Sequence, residues 1–315
     1  MDRRGFLGAS AALFSTPLSF AGTRNGIPTR KFGKTGAELT IVGQAAGRFP
    51  LCTFEEAVAV TRKAYDLGIN YFDNAHTYWD GKSEEVYGEA MKGWRKNIFL
   101  TTKSLERTKA GAMAHLEQSL KRLKTDYVDL WQIHSLQEID ELDKIFAPGG
   151  AIEAFAQAKK EGKARFIGFT GHRDPNVHAA MLKRGYAFDT ILMPLHAADP
   201  AYLSFEKIVL PEAIRQGLGI QAMKVTANSK LLSIFNVRKC LEYSLSLPGV
   251  TAATMGATTL GQIEDDVRIA KSFKPLDAPM LSSLRDQAAK IQVPGFEDWK
   301  RPAEQRAGLH VYAGG

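Results

Sequence analysis

The regular alternation of short apolar runs with longer amphipathic segments is the feature of this 315-residue sequence that most restricts its fold. Between residues 41 and 271 each apolar run has the length of a buried strand, and a segment of helical periodicity follows it. The pattern predicts strands at 41–43, 71–73, 98–103, 128–134, 166–170, 191–195, 220–225 and 252–256. It predicts helices at 54–67, 83–94, 110–124, 150–161, 175–184, 205–216, 236–246 and 260–271. Eight strand–helix units are the number that closes a parallel (β/α)8 TIM barrel, which is an α/β fold.

The segments on either side of these units predict additions to the barrel. Two β-type runs at 29–32 and 38–40 flank the turn signal Gly-Lys-Thr-Gly, and together they predict an N-terminal β-hairpin. A C-terminal helix is predicted near 278–290, with a polar tail behind it. Because the sequence shows neither an internal repeat nor a linker, we expect a single barrel domain at 26–315.

A doubly wound open sheet is the competing α/β fold. Such a sheet usually places a Gly-x-Gly-x-x-Gly turn directly after its first strand. Here residues 43–47 read Gly-Gln-Ala-Ala-Gly, which does not match that turn. The sequence therefore favours the closed barrel.

Residues 1–25 have the order of a secretory signal peptide: a charged start, an apolar middle and small residues before a cleavage position. Arg3 and Arg4 precede Gly-Phe-Leu, and Ser19 and Ala21 are the small residues. The paired arginines resemble the twin-arginine (Tat) export signal of bacteria, which implies the Tat export machinery as a partner and a periplasmic location. A membrane anchor needs roughly 17–25 apolar residues. Since this run is shorter and is broken by Ser, Thr and Pro, we expect no membrane span in the mature chain.

Composition limits the classes of protein and of site. The apolar fraction of 44 % and the charged fraction of 24 % are those of an ordinary globular protein. The net charge of +7 is spread along the chain, so no nucleic-acid interface is indicated, although a phosphate-bearing cofactor fits a mild positive balance. Cys52 and Cys240 lie far apart without ligand spacing, so we expect no metal site from them.

Polar residues interrupt the chain where three successive predicted strands end. Asp73 ends the second strand and Tyr78 follows it, Lys103 ends the third strand, and His134 ends the fourth. The C-terminal ends of parallel barrel strands form one mouth, and neighbouring strands are about 4.8 Å apart. We therefore expect these four side chains to share one pocket.

This set of side chains is suited to proton transfer. A phenol such as Tyr78 has a pKa of about 10 in water, and a nearby ammonium such as Lys103 is expected to lower it. A buried ammonium needs a carboxylate partner, which Asp73 can supply. A neutral imidazole at His134 can hydrogen-bond a substrate oxygen and orient it.

Four segments resemble the aldo-keto reductase family. They are Arg-Lys-Phe-Gly-Lys-Thr-Gly at 30–36, Phe-Asp at 72–73 with Tyr78 and Ser-Glu at 83–84, and Asp-Leu-Trp-Gln-Ile-His at 129–134. The resemblance implies NADPH-dependent reduction of small aldehydes and ketones on a (β/α)8 barrel, without a metal. It also implies a catalytic tetrad made of Asp73, Tyr78, Lys103 and His134.

The resemblance also assigns the nicotinamide end of the cofactor site, with departures. Thr170 matches a hydroxyl position that binds the carboxamide, but the next residue, Gly171, lacks the usual amide. An Asn-Gln pair common on strand six is replaced by Met-Pro at 193–194. The aromatic that often stacks on the nicotinamide is Met223, and Lys224 is placed to meet the pyrophosphate.

The adenosine end is assigned to residues 255–266 in the same way. The residues expected to bind here are Gly256, Ala257, Thr258, Gln262, Asp265 and Asp266. Gly256 stands where the family often has lysine, and neutral Gln262 stands where arginine often fixes the 2′-phosphate. We therefore expect NADPH, with NADH also possible.

Substrate contacts are expected from the strand–helix loops, with Phe49, Trp79 and His172 as candidates. Two other functions stay open at this point. The departures in the cofactor site are also compatible with a nicotinamide-binding sensor or partner subunit of little turnover. A Schiff-base aldolase that uses Lys103 ranks far behind a reductase.

Overall fold

Eight parallel strands close into a barrel in this computed structural model, which describes residues 19–301. The barrel strands are β4 (Val42–Ala45), β5 (Tyr71–Asp73), β6 (Phe99–Ser104), β7 (Val128–Ile133), β8 (Ala164–Thr170), β9 (Thr190–Pro194), β10 (Gly219–Met223) and β11 (Val250–Met255). They pair in chain order, and β11 pairs with β4 to close the ring. The predicted TIM barrel is confirmed.

An antiparallel sheet of three strands covers the end of the barrel where the strands begin. It consists of β1 (Gly22–Arg24), β2 (Ile27–Lys31) and β3 (Glu38–Thr40), so the predicted hairpin is present with one further strand. Phe32 and Leu39 are fully buried here and pack with aromatic and aliphatic side chains from the lower part of the barrel. This apolar layer closes the bottom of the barrel and leaves its other end as the mouth.

Strand β1 lies within the predicted signal segment 1–25. It begins at Gly22, directly after Ala21 of the predicted cleavage position. Residues 1–18, which include both arginines of the signal, lie outside the described residues. The export signal therefore stays a prediction. Between residues 19 and 301 no helix is long and apolar enough to cross a membrane.

The helices surround the barrel and follow its strands. They are α1 (Phe54–Asp66), α2 (Lys82–Ala90), α3 (Lys109–Leu123), α4 (Asp140–Phe146), α5 (Ala151–Lys160), α6 (Pro175–Lys183), α7 (Phe205–Ile208), α8 (Leu210–Arg215), α9 (Val237–Ser246), α10 (Leu260–Lys271) and α11 (Ala278–Ala289). The predicted helix 205–216 is two helices, because Pro211 has no N–H to continue the ladder across the junction. Between the predicted strand 128–134 and the predicted helix 150–161 lies α4, whose first turn is rich in acidic residues that favour a helix N-terminus.

Glycine in the barrel wall allows neighbouring side chains to pass close to the backbone. Gly168 of β8 faces Thr190 of β9, and a methyl group at position 168 would overlap the Thr190 hydroxyl and crowd its carbonyl. Gly43 of β4 has the same relation to the ring of Tyr71. These contacts explain why buried positions of two strands contain glycine, a residue with weak strand propensity.

Gly168→Ala should therefore lower the free energy of unfolding by about 1–3 kcal/mol, because the added methyl group overpacks the wall between two strands. Urea unfolding followed by circular dichroism measures the change. Gly261→Ala in α10 is the matched control, since nothing lies within 4 Å of its methyl position and alanine favours a helix. An equal loss of stability in both variants would contradict this account.

Candidate active site

A buried ion pair forms the centre of the barrel mouth. Asp73 ends β5, Lys103 lies near the end of β6, and the register of these neighbouring strands brings both side chains to the same face. Lys103 Nζ lies 2.7 Å from Asp73 Oδ2 and 2.6 Å from the main-chain oxygen of Asn74. Burial lowers the pKa of Lys103, but Asp73 and Tyr78 more than offset this and raise it, so the ammonium stays charged at neutral pH.

Tyr78 lies beside this ammonium, as predicted. Lys103 Nζ donates to the Tyr78 hydroxyl oxygen over 3.4 Å, and only 6 % of Tyr78 is exposed. Burial raises the pKa of Tyr78, and Lys103 opposes this rise while Asp73 adds to it. Lys103 thus lowers the pKa of Tyr78 as expected, but burial of the phenol outweighs the ammonium and the net pKa in the protein alone is raised. Tyr78 consequently keeps its proton until negative charge develops next to it.

His134 completes the predicted set directly after β7. Its ring meets the Tyr78 ring edge to face with 5.7 Å between the centroids. Burial lowers the pKa of His134 well below its usual value, and Lys103 and Arg107 lower it further. The imidazole is therefore neutral at physiological pH, and its Nδ1 is buried without a hydrogen-bond partner among the described residues. A neutral imidazole can donate a hydrogen bond to a carbonyl oxygen.

The loop that carries Tyr78 is held by buried polar side chains. Asn74 Nδ2 donates to the main-chain oxygen of Ser83 over 2.8 Å, which joins the start of the loop to α2. Thr102 Oγ1 donates to Glu84 Oε1 over 2.6 Å, which joins α2 to β6. The Asn74 contacts were not predicted, because the asparagine stands next to Asp73 without a motif of its own.

The same loop turns through the left-handed backbone region. Trp79 and Asp80 each have φ of 52°, and Gly81 has φ of 92°. The Arg122 guanidinium occupies the space where a side chain at position 81 would lie, and it donates to the main-chain oxygen of His76 over 3.2 Å. Glycine is therefore required at position 81 for two reasons: the backbone has a positive φ, and Arg122 leaves no room for a side chain. Arg122 was not predicted, since it lies on α3 and meets the loop only in the fold.

A cleft extends from Asp73 and Tyr78 across the ends of β10 and β11 to the start of α10. Six of the residues predicted to bind the cofactor line it: Met223, Lys224, Gly256, Thr258, Gln262 and Asp266. Three do not. Ala257 is buried in the core, and the exposed Asp265 pairs with Arg268 at 2.7 Å. Thr170 is buried at the end of β8, where its main-chain oxygen accepts from Leu136 N over 2.9 Å.

Gly171 follows Thr170 in a place without room for a side chain. A Cβ there would lie 2.6 Å from both His178 Cε1 and the main-chain oxygen of Leu136. The amide expected from the family is therefore replaced because His178 and the loop after β7 fill its position. The carboxamide end of a cofactor would have fewer side-chain partners here than the resemblance implies.

Lys224 and Arg48 give the cleft a positive centre. Burial, together with Arg48 and Lys230, lowers the pKa of Lys224 to about 8 against the opposing effect of Asp298. Within residues 19–301 no carboxylate forms an ion pair with Lys224, whose Nζ instead lies 4.9 Å from the ring centroid of Trp299. A partly buried ammonium without a counter-ion, beside a guanidinium, fits a phosphate group of a dinucleotide.

Arg48 also explains Gly256. A Cβ on Gly256 would lie 2.5 Å from Arg48 Cγ, so the arginine side chain passes over the glycine. Arg48 thus brings a positive charge to the place where the family often has a lysine. Sequence reasoning missed it, because Arg48 belongs to the loop after β4 at the other end of the chain.

The start of α10 is neutral and already hydrogen-bonded. Gln262 Oε1 accepts from Thr258 N over 2.8 Å, and Thr259 Oγ1 accepts from Gln262 N over 3.2 Å, which forms a capping box. Burial and the neighbouring Asp265 raise the pKa of Asp266 to about 7. This end of the cleft therefore offers hydrogen bonds to a nucleoside but little positive charge.

The three residues predicted to contact substrate differ in their exposure. Phe49 is fully buried and packs edge to face on Tyr87, with 5.8 Å between the centroids, so it has no surface for a substrate. Trp79 is half-buried next to Tyr78, with Lys82 Nζ 5.6 Å from its ring centroid. His172 is half-buried on the loop after β8. The sequence predicts an aromatic residue in a loop at position 49, but it does not indicate that this side chain faces the core.

No group of three or more His, Cys, Asp or Glu side chains in the described part of the chain could hold a metal ion. Cys52 and Cys240 are both free thiols.

The chain is similar in sequence to known oxidoreductases. Residues 45–234 match the Aldo/keto reductase family. The uncharacterized oxidoreductase YqkF of Bacillus subtilis (strain 168) is 28% identical over 288 residues, which are 77% of this chain and 91% of YqkF.

Solved structures show the same fold. The holo form of aldo-keto reductase AKR11C1 from Bacillus halodurans superimposes with a TM-score of 0.73 and 25% identity, covering 87% of this chain and 100% of that chain. An aldo-keto reductase from Klebsiella pneumoniae in complex with NADPH has a TM-score of 0.67 and 24% identity, covering 83% and 95%. Together with the family match, these likenesses show that the chain belongs to the aldo/keto reductase family and is an NAD(P)H-dependent oxidoreductase.

Proposed function

We propose that this enzyme reduces an aldehyde or ketone carbonyl to an alcohol, with Tyr78 as the proton donor. One observation carries the proposal: Lys103 Nζ contacts both the Asp73 carboxylate and the Tyr78 hydroxyl inside a buried mouth. A buried phenol next to a fixed positive charge holds its proton in the resting state. It can release that proton once an adjacent oxygen becomes negative.

Each residue of the set has a separate part in this reaction. His134, as a neutral donor, orients the carbonyl oxygen towards Tyr78. Tyr78 transfers its proton to the developing alkoxide, and Lys103 stabilises the tyrosinate that remains. Asp73 keeps Lys103 charged and in place over 2.7 Å. The buried surroundings exclude water, which strengthens each of these electrostatic interactions.

A bound NAD(P)H would supply the hydride that reduces the carbonyl carbon. We propose that Lys224 and Arg48 bind its pyrophosphate, because both cations face the cleft and neither forms an ion pair with a carboxylate among residues 19–301. Met223 would pack against the nicotinamide, with Thr258 and Gln262 at the adenosine end. Asp266 lines the same end of the cleft.

NADPH is the proposed cofactor, and NADH is expected to bind as well. The Klebsiella pneumoniae relative was solved with NADPH, and Arg48 lies over Gly256 close to the adenosine end. Gln262 is neutral and Asp266 carries a carboxyl group, so neither attracts the 2′-phosphate that distinguishes NADPH from NADH. The preference should therefore be weak.

We also propose that the enzyme is exported by the bacterial Tat machinery and acts in the periplasm. The order of residues 1–25 supports this, with Arg3 and Arg4 ahead of an apolar run. Tat export carries folded proteins, so the barrel could bind its cofactor before export.

Tyr78→Phe should reduce turnover of a simple aldehyde by about 10²–10⁴-fold, because the variant lacks the acid that protonates the alkoxide. Cofactor affinity should stay unchanged. NADPH oxidation measured by absorbance tests the first statement and fluorescence titration the second. Tyr65→Phe is the control, since its hydroxyl only accepts from Asn97 on the outside of the barrel. Full activity in Tyr78→Phe would remove the mechanism.

Lys224→Met should weaken the binding of NADPH and NADH alike by about ten-fold or more, because one charged phosphate contact is lost. In the unaltered enzyme both affinities should fall as the pH rises through about 8, where Lys224 loses its proton. Fluorescence titration with each cofactor from pH 6 to pH 10 measures both effects. Lys144→Met changes an exposed lysine and should leave affinity unchanged. Cofactor affinity that is insensitive to both Lys224→Met and pH would contradict the proposed pyrophosphate site.

Replacing Arg3 and Arg4 by lysine should retain the full-length protein in the cytoplasm, because the Tat receptor reads the arginine pair. Cell fractionation followed by mass measurement of the N-terminus compares this variant with the natural sequence. Arg24→Lys lies in the folded sheet and serves as the control. Equal distribution of all three proteins between the compartments would rule out Tat export.

A further inference from the structure

The loop between β6 and α3 carries an arginine that contacts the end of β7. Arg107 Nη2 donates to the main-chain oxygen of His134 over 2.9 Å and to that of Ser135 over 3.3 Å. Its Nη1 donates to the main-chain oxygen of Leu105 over 2.9 Å. One guanidinium therefore joins the backbone of its own loop to the backbone that carries the imidazole.

Glu141 of α4 holds this guanidinium in place. Arg107 Nε and Nη2 lie 2.9 Å and 2.8 Å from the same oxygen, Glu141 Oε2. The two side chains are 16% and 19% exposed, so water screens the pair less than it screens a surface ion pair. Helix α4 thus supplies the carboxylate that holds Arg107 against the backbone of His134.

The backbone at this position needs such a donor. His134 N donates to the main-chain oxygen of Ser104 over 2.8 Å, which continues the strand ladder on one side. Ser135 has φ of 54°, so the chain leaves the strand here, and the carbonyls of His134 and Ser135 accept from Arg107. Buried carbonyl groups require hydrogen-bond donors, and Arg107 supplies them.

Arg107 also acts on the charge state of the imidazole. Within residues 19–301, Lys103 from β6 and Arg107 act on the charge of His134, and Tyr78 from the loop after β5 meets its ring edge to face. Asp73 and Glu141 lie behind the two cations as their partners. After burial and Lys103, Arg107 is the next cause that lowers the pKa of His134. A positive charge that binds the carbonyl of the same residue disfavours a second positive charge on its ring.

We propose that Arg107 is a positioning residue for the reduction, which fixes the backbone of His134 at the mouth, and that Glu141 holds Arg107 in this role. The inference rests on the proposed function for the part given to His134. It concerns residues that no motif in the sequence marks.

The direct test is the titration of the His134 imidazole by NMR in histidine-labelled enzyme without cofactor or substrate. The His134→Gln variant assigns its signal. In Arg107→Met the pKa of His134 should rise relative to the natural enzyme, because a nearby positive charge is gone. In Glu141→Gln it should not rise, because the arginine keeps its charge. An unchanged His134 titration in Arg107→Met would overturn the electrostatic part of the proposal.

The second test is kinetic. Arg107→Lys keeps the positive charge, but one ammonium cannot bridge two carbonyls and a carboxylate in the same geometry. We expect kcat/KM to fall by about ten- to a hundred-fold in Arg107→Lys and Glu141→Gln, because the imidazole is misplaced. Arg107→Met should also lose activity at a higher pH on the acid side than the natural enzyme. Natural kcat/KM in Arg107→Lys and Glu141→Gln would overturn the positioning role.

Arg95 provides a matched control at the opposite end of the barrel. It pairs with Asp129 at 2.9 Å and donates to the main-chain oxygen of Tyr127 over 2.9 Å, so it has the same kind of contacts as Arg107. Arg95→Met should lose comparable stability in urea unfolding and leave both the His134 titration and kcat/KM unchanged. If Arg95→Met changes them as Arg107→Met does, the effect is one of general stability and the proposal fails.

The two proposals can fail separately. Full activity in Tyr78→Phe would remove the proposed proton donor, yet the NMR titration needs no turnover and would still test Arg107. Conversely, an inactive Tyr78→Phe enzyme with an unmoved His134 titration in Arg107→Met would leave the reductase mechanism intact and remove Arg107 from it.

Discussion

The buried ammonium of Lys103 is the interaction on which the arrangement of the mouth depends. Removing a lysine charge from water costs several kcal/mol unless close acceptors replace the water. Here Asp73 and the main-chain oxygen of Asn74 are those acceptors, at 2.7 and 2.6 Å. Asp73 ends β5 and Asn74 follows it, so electrostatics supports the register between β5 and β6 in addition to the hydrogen-bond ladder. The loop that leaves β5 carries Tyr78 past the ammonium before α2 begins at Lys82.

Much of the barrel is predictable from the sequence because its strands are buried on both faces. Such strands are continuous apolar runs, and the prediction for residues 71–73 coincides with β5. The additions to the barrel were harder to predict. Strand β1 is short and exposed, so it has no apolar signal and exists through its pairing with β2. Helix α4 has only seven residues, and its acidic first turn was the one local sign of it.

The four residues proposed for catalysis were predictable for a related reason, whereas the residues that hold them in place were not. Three of them lie at strand ends: Asp73, Lys103 and His134. A polar residue that follows an apolar run can be recognised in the sequence alone. Two supporting contacts join segments that are distant in sequence: Arg48 lies over Gly256, and Arg107 binds the main-chain oxygen of His134. The spacing of residues along the chain does not indicate such contacts. Phe49 was predicted to contact substrate for the same reason. An aromatic residue in a loop can face either the core or the cleft, and the sequence does not distinguish the two.

The pairing of charges divides the mouth into two halves with different ligands. On the side of β5 to β7, each cation has a carboxylate partner: Lys103 has Asp73, and Arg107 has Glu141. That half has little net charge, which suits the uncharged carbonyl group of the proposed substrate. On the side of β10 and β11, Lys224 lies beside another cation without a carboxylate partner among residues 19–301, which suits phosphate. Tyr78 lines the same cleft as Lys224, so the proposed proton donor lies where the two halves meet.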